Sequence, residues 1–280
     1  MLENGLHGPC IGVIYDGAGY GSDGLIWGSE FLTGNYNQFT RNVCLRPIKL
    51  LGGDKAVQFP IRTGLALLLA SFDDATHLLP KLPSLRVLST EQQLILAQMF
   101  ESETNAPECS SMGRLFDGIA ALLGLADVAE YEAQGPIELE GLLMRDLSLA
   151  PPYPFSLIGN VGNERIEYRT MVRDVVGDLI SGIDVATISR RFHSTIVDFT
   201  CSVCVMLRNR TGIKDVVLSG GVFLNEFLLV NSVRELRKLG LQPHHQSFFP
   251  PNDGGVSAGQ LAVCIAQTKS KAEGVVAAKP

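Results

Sequence analysis

Three glycine-rich segments hold the residues best suited to chemistry. The first is Asp16-Gly17-Ala18-Gly19-Tyr20-Gly21-Ser22-Asp23-Gly24. It follows a short apolar run over 10–15 that reads as a buried strand. A carboxylate at the end of such a strand offers a hard oxygen to a cation, and the glycines let backbone N–H groups approach an anion. An ordinary glycine-rich hairpin turn has the same pattern. The second segment is Val216-Val217-Leu218-Ser219-Gly220-Gly221-Val222-Phe223-Leu224-Asn225, in which a strand enters a double-glycine turn and leaves as a helix. The start of that helix would favour phosphate through its free N–H groups and partial positive charge. The paired glycines would also let a flat base or a ribose lie against backbone. The segment is neither a GxGxxG fingerprint nor a Walker A loop. The third is Asn252-Asp253-Gly254-Gly255, between a strand and a helix. Pattern alone favours Asp253 as a helix N-cap over a metal ligand reaching a cleft.

A fourth stretch, Ser110-Ser111-Met112-Gly113-Arg114-Leu115-Phe116-Asp117, sets Asp117 in mid-helix among apolar neighbours. There it is either part of a solvated helix face or an acceptor for a ribose hydroxyl. The histidines offer less. His244 and His245 are adjacent in an expected strand and so point to opposite faces. His7, His77 and His193 stand alone, and the chain contains no HxxxH or HExxH. Cys201 and Cys204 form one CxxC with no second pair to complete a zinc site. Both fall in a helical run with Ile188, Phe192, Ile196, Phe199, Val203 and Leu207, which favours a core role.

The elements that must position these residues alternate between strand and helix. Pro60 opens a helix holding Leu65, Leu68 and Leu69. Thr90 with Gln93 is a capping-box pattern ahead of Leu94, Leu96, Ala97 and Met99. Ser110 or Ser111 caps a helix through Phe116, Ile119 and Leu122, and a further helix is expected over 137–147. The stretch 155–169 reads as a hairpin with turn signals at Gly159-Asn160 and Gly162-Asn163. Helices over 170–180 and 185–209, a strand over 215–218, a helix over 224–239, a strand over 244–249 and a helix over 256–267 follow. The tail, 268–280, reads as frayed. The pattern is α/β with helix-rich insertions and no dividing linker.

Composition bounds the function. Of 280 residues 46% are hydrophobic and 19% charged, with a net charge of −6. Such a chain has the apolar surface to fold, and it lacks the basic field of a phosphate-reading nucleic-acid protein. No run of 18 apolar residues exists, and the first residues lack the regions of a signal peptide, so neither a membrane nor secretion is expected and the default compartment is the cytoplasm.

Taken in order over 3–266, the motifs resemble one family. They are Asp16-Gly17-x-Gly19-Tyr20-Gly21-x-Asp23-Gly24-x-x-Trp27-Gly28-x-Glu30-Phe31, then Leu45-Arg46-Pro47 with Gly52-Gly53-Asp54. Next come the Cys109-Ser110-Ser111-Met112-Gly113-Arg114-Leu115-Phe116-Asp117 block, Tyr131-Glu132-Ala133-Gln134 and Arg191-Phe192-His193. The segments over 218–225 and 250–255 complete the set. Together they are similar to the hydrogenase-maturation carbamoyltransferases, HypF. The resemblance implies a Kae1-like lobe of the actin/hexokinase-like (ribonuclease H-like) superfamily with helical insertions. It would occupy 1–267, followed by a flexible tail over 268–280, with the first lobe largely missing.

The resemblance further implies transfer of a carbamoyl group from carbamoyl-adenylate, made from carbamoyl phosphate and ATP, to the C-terminal cysteine of a partner, HypE. Asp16 and Asp253 would be ligands of a divalent metal, zinc, iron or magnesium. Gly220, Gly221 and Asn225 would contact the adenosine, and Gly113 and Asp117 would lie near the ribose. The family's HxxxH, which supplies the rest of the metal site, falls just upstream of the residues matching Glu3-Asn4-Gly5. The domain expected to make the adenylate is also unmatched. On that basis the chain alone is expected to be inactive, with an apolar surface suited to a missing N-terminal part or to self-association. Two alternatives are a small-molecule O-carbamoyltransferase, a type that shares the superfamily, and a non-catalytic piece of a split enzyme. The blocks around Trp27 and Arg114 favour HypF over the first.

Overall fold

In the first strand, β1 (Cys10–Tyr20), Ile11, Val13 and Tyr15 alternate with partly exposed residues and are fully buried, as a half-covered sheet requires. It opens a computed structural model that describes residues 1–75 and 77–277. β2 (Ile26–Gly34) and β3 (Phe39–Leu45) return antiparallel, and β4 (Ile48–Lys49) leads to α1 (Lys55–Gln58) and α2 (Pro60–Ser71). After α3 (Thr90–Ser102), the short β5 (Glu108–Cys109) pairs with β2 and β4 and feeds α4 (Met112–Leu122). Next come α5 (Gln134–Gly141), the hairpin β6 (Ser156–Asn160) and β7 (Asn163–Glu167), and the helices α6 (Arg169–Ile180) and α7 (Val185–Thr211). The chain finishes with β8 (Asp215–Ser219), α8 (Glu226–Lys238), β9 (Gln242–His244) and α9 (Val256–Ala277). The described strands form one mixed sheet in the order β6-β7-β3-β2-β1-β8-β9, with β5 bridging β2 and β4.

α7 forms the spine of the core. Asp184 caps it, accepting the N–H groups of Ala186 at 2.9 Å and Thr187 at 3.3 Å, and Gly212 ends it at φ +75°. Its stripe of Ile188, Phe192, Ile196, Phe199, Val203 and Leu207 is buried, as the spacing predicts. Cys201 and Cys204 lie in the same interior. Burial pushes the Cys201 thiol up to about 12 and raises Cys204 as well, so the CxxC is a pair of inert core thiols. All six cysteines are free, and of these Cys264, on α9, is exposed.

Several boundaries differ from the sequence expectation. The capping box on α3 is Ser89 with Gln92, one residue earlier than Thr90 with Gln93. Gln93 instead donates to the carbonyls of Leu85 and Leu88, each at 3.1 Å. α5 is shorter than expected and ends at Gly141, a poor helix residue. β9 covers Gln242–His244 rather than 244–249, because the N–H groups of Ser247, Phe248 and Phe249 turn to the Glu3 carboxylate at 2.6–3.1 Å. The last helix runs to Ala277, ten residues past its expected end, so most of the expected tail is helical and 278–280 lie outside the described residues. No side chain of α9 up to Lys269 is buried, and Leu261, Val263 and Ile265 are exposed. Among the described residues, no helix is long and apolar enough to cross a membrane.

Candidate functional site

β1 pairs in parallel with β8 from Ile11↔Val216 to Ile14↔Ser219, and β8 pairs in parallel with β9 up to Val217↔His244. The chain therefore leaves all three strands at the same end of the sheet, the end outside which open α/β sheets collect ligands. A cavity of ≈ 420 Å³ opens there, walled by Asp16, Ser219, Gly220 and Asp253, with Glu3 and Val256 from the first and last segments.

Asp16 owes its position to a break in register. Tyr15 pairs with Ser29 but Gly19 pairs with Trp27, so the residues between bulge from the ladder. The Asp16 Oδ1 accepts the Gly17 N–H at 2.8 Å. Burial raises its carboxyl above the usual range against the pull of that amide, and the nearby charge of Asp253 raises it further. Gly220, at φ +102°, donates its N–H to the Pro251 carbonyl at 2.9 Å. That bond ties the double-glycine turn to the loop bearing Asp253. The N-cap of the short 3₁₀ turn over Asp253–Gly255 is Asn252, whose side chain accepts the Gly254 N–H at 3.2 Å. The capping role expected of Asp253 thus falls to its neighbour, and Asp253 stays on the cavity wall.

Two carboxylates facing one cavity fit a hard cation of the magnesium kind, which keeps water and ligand oxygens and needs only one or two protein carboxylates. They do not make up a zinc or iron site, which takes three or four donors. Among the described residues no group of three His, Cys, Asp or Glu stands close enough to hold a metal.

α4 enters the same region from beside β1. Ser111 caps it, accepting the Arg114 N–H at 3.0 Å while donating to the Gly17 carbonyl at 2.6 Å. Gly113 lies so close to β1 that a Cβ on it would stand 2.9 Å from the Gly17 Cα. Asp117 is 4% exposed, so it is not on a solvated face. Its Oδ2 lies 2.8 Å from an Arg114 nitrogen. The Nε of that guanidinium is buried with no hydrogen-bond partner.

A family model described as the second subdomain of a carbamoyltransferase Kae1-like domain matches residues 12–260. The carbamoyltransferase HypF of Synechocystis is 33% identical over 279 residues, covering 95% of this chain and 35% of the relative. The chain belongs to the HypF family. HypF of Rhizobium leguminosarum is 32% identical, covering 94% of this chain and 33% of the relative. The crystal structure of a full-length HypF in its phosphate- and nucleotide-bound form superposes with a TM-score of 0.84 at 32% identity, covering 94% of this chain and 40% of that one. The chain thus spans about a third of the length of the curated relatives it matches.

The residues expected from the HypF resemblance divide into three groups. Asp16, Asp253, Gly220 and Gly221 converge, with a Cβ on Gly221 placed 3.4 Å from the Asp16 Oδ1. Gly113 and Asp117 belong to the adjoining α4, and Asn225 stands apart. The Asn225 side chain is committed at both ends, its Oδ1 accepting the Leu228 N–H at 2.9 Å and its Nδ2 lying 3.1 Å from the His193 Nε2. The start of α8 is also occupied, since the Glu140 carboxylate accepts the Glu226 N–H at 2.6 Å. The phosphate position expected at that helix N-terminus is therefore taken by a protein carboxylate. The backbone of this turn that reaches the cavity wall is Gly220, with Gly221 set against Asp16.

Sequence reading missed what braces the site. The buried Glu30 accepts the N–H groups of Gly28 at 3.1 Å and Ser29 at 3.2 Å, the Ser110 hydroxyl, and the Arg41 Nε at 2.6 Å. Arg41 also reaches Asp23 at 2.8 Å and lies over the Trp27 ring at 4.2 Å. Ser110 and Ser111 anchor the start of α4, so this network holds α4 against β1 and β2. Glu30 and Trp27 lay within a resemblance block, but nothing in their spacing marked them as partners of Arg41.

Asp117 carries a pH signature. Burial pushes its carboxyl up to about 6 despite Arg114. The folded state then holds a proton that the unfolded state has lost between about pH 4 and 6, so this contribution falls as pH rises through that window. Asp117→Asn is expected to flatten the fall, a relative gain on the order of 3 kcal/mol by pH 7. Urea midpoints from pH 4 to 7 check it; parallel curves for variant and wild type would contradict it.

Proposed function

We propose that this chain supplies the nucleotide- and cation-holding face of a carbamoyl-transfer site. The donor is carbamoyl-adenylate, and the acceptor is the C-terminal cysteine thiol of HypE, in cytoplasmic maturation of nickel–iron hydrogenase. The observation that carries this reading is the meeting of Asp16, Asp253 and Gly220 at one cavity, with Gly221 against the Asp16 carboxylate, from segments more than 200 residues apart. The glycine backbone would receive the adenosine and α4 would lie toward the ribose. Asp16 and Asp253 would hold a magnesium-like cation. When bound, that cation would neutralise the adenylate phosphate and polarise the acyl group.

The transfer itself balances without a further reactant. The cysteine reaches the carbonyl carbon as thiolate, its proton released to solvent, and the C–S bond forms as the C–O bond to phosphate breaks. AMP leaves with the electron pair. The chain's own part is to orient the donor and to keep the negative charge of the leaving group compensated.

Calorimetric titration with AMP in magnesium is expected to show one site, with Asp16→Asn and Asp253→Asn each weakening the magnesium-dependent part about tenfold. Absence of AMP binding, or isotherms unchanged in both variants, would overturn the reading. Given only carbamoyl phosphate, ATP and a peptide ending in the HypE cysteine, the chain is expected to leave the thiol unmodified by mass spectrometry. The resemblance assigns synthesis of the adenylate to a part of the relatives that this chain does not match.

A further inference from the structure

His193 is fully buried in mid-α7, edge-on to Phe116, Phe192 and Phe227 with ring centroids 5.2–5.7 Å away. Its hydrogen bonds fix its proton without ambiguity. The Leu228 N–H can bond only to an oxygen, so the Asn225 carbonyl faces α8 and the Asn225 NH₂ faces His193. The His193 Nε2 must then be the acceptor. The proton is left on Nδ1, which lies 2.8 Å from a group that can only accept, the Ser189 carbonyl. Backbone groups at both ends dictate the same tautomer. The Ser189 hydroxyl continues the chain to the Leu139 carbonyl of α5 at 2.8 Å.

The turn that Asn225 closes starts at the double glycine, whose Gly220 lines the cavity. The Phe223 N–H donates to the Gly220 carbonyl and the Asn225 N–H to the Val222 carbonyl, each at 3.1 Å. One end of the turn is fixed by Phe223, stacked on Tyr15 at 5.1 Å, and the other by Asn225 on His193.

We infer that His193 is a positioning residue of the nucleotide wall, holding the Asn225 amide as an acceptor and thereby setting the Gly220–Gly221 backbone for the ligand. This rests on the nucleotide reading proposed above. Burial pushes the imidazole down to about 4, which keeps Nε2 free to accept at neutral pH. Protonation would set an N–H against the Asn225 NH₂. Phe116 packs on the imidazole next to Asp117 of α4, so the ring also links the two sides of the proposed nucleotide seat.

The test is AMP titration by calorimetry, with magnesium, on wild type, His193→Leu and His193→Gln. Leucine removes the acceptor and is expected to weaken AMP binding about tenfold, the cost of a lost buried hydrogen bond. Glutamine keeps an acceptor at the place of Nε2 and is expected to restore binding to within about threefold. Equal affinity of His193→Leu and wild type would overturn the inference, as would failure of glutamine to rescue. Should the leucine variant not fold, nitrogen-15 spectra of wild-type histidines decide independently. The Nδ1–H tautomer is expected for His193, and an Nε2–H tautomer or an imidazolium at pH 7 would overturn it. Absence of AMP binding by wild type removes the nucleotide reading itself, a result distinct from equal binding by variant and wild type.

Discussion

Gly220→Ala is expected to destabilise the fold by about 3 kcal/mol or more, through left-handed strain and overpacking together. A Cβ at this position would stand 2.1 Å from the Tyr15 carbonyl oxygen and 2.6 Å from its carbon. Neither can retreat, because Tyr15 is fully buried with its ring held between Phe31 and Phe223, 5.9 Å and 5.1 Å away. The φ of +102° adds a conformation that residues with a side chain rarely adopt. Gly221→Ala is the control. Its Cβ would meet the Asp16 Oδ1 at 3.4 Å, and its backbone needs no positive φ. It is expected to cost under about 1 kcal/mol, within the usual range for substitutions away from strained positions. Urea denaturation of the pair measures the difference, and coincident midpoints would contradict it.

Glu30→Ala is expected to cost about 3 kcal/mol, the lower end for breaking a buried ion pair from one side. Glu30 is 2% exposed and accepts from two backbone amides, a hydroxyl and a guanidinium, so its loss orphans several donors at once. The lower end applies because Arg41 retains Asp23 and is partly exposed. The double variant Glu30→Leu with Arg41→Leu is expected to recover a large part of the loss, since it leaves no charge buried alone. A chemical-denaturation midpoint for Glu30→Ala within error of wild type would show that the network does not hold α4 to the sheet.

The regular elements were legible wherever local pattern and tertiary burial agree. The α7 stripe, the β6–β7 hairpin with its Gly-Asn signals and the strand ahead of Gly220 all appear where periodicity and turn chemistry put them. The glycine-rich segments were legible as candidates because backbone approach needs glycine whatever the ligand. The misses have a common cause, the choice among chemically equivalent local partners. Ser89 and Thr90 could each cap α3, as Asn252 and Asp253 could each cap the turn before α9. The strand expected over 244–249 failed because its N–H groups found Glu3, more than 240 residues away. His193 read as a solitary histidine because both of its ring partners are set by tertiary packing: Asn225 lies 32 residues on, and the Ser189 carbonyl carries no sequence signal.

The distribution of thiols gives the protein a built-in attachment point. Cys10, Cys44, Cys109, Cys201 and Cys204 are buried, and Cys264 is exposed on α9. The same helix lines the cavity through Val256, Gly259 and Val263. A maleimide fluorophore added to the native chain should therefore couple at Cys264 first, without any cysteine being removed. A dye in that place would sense whatever comes to lie along the uncovered apolar side chains of α9.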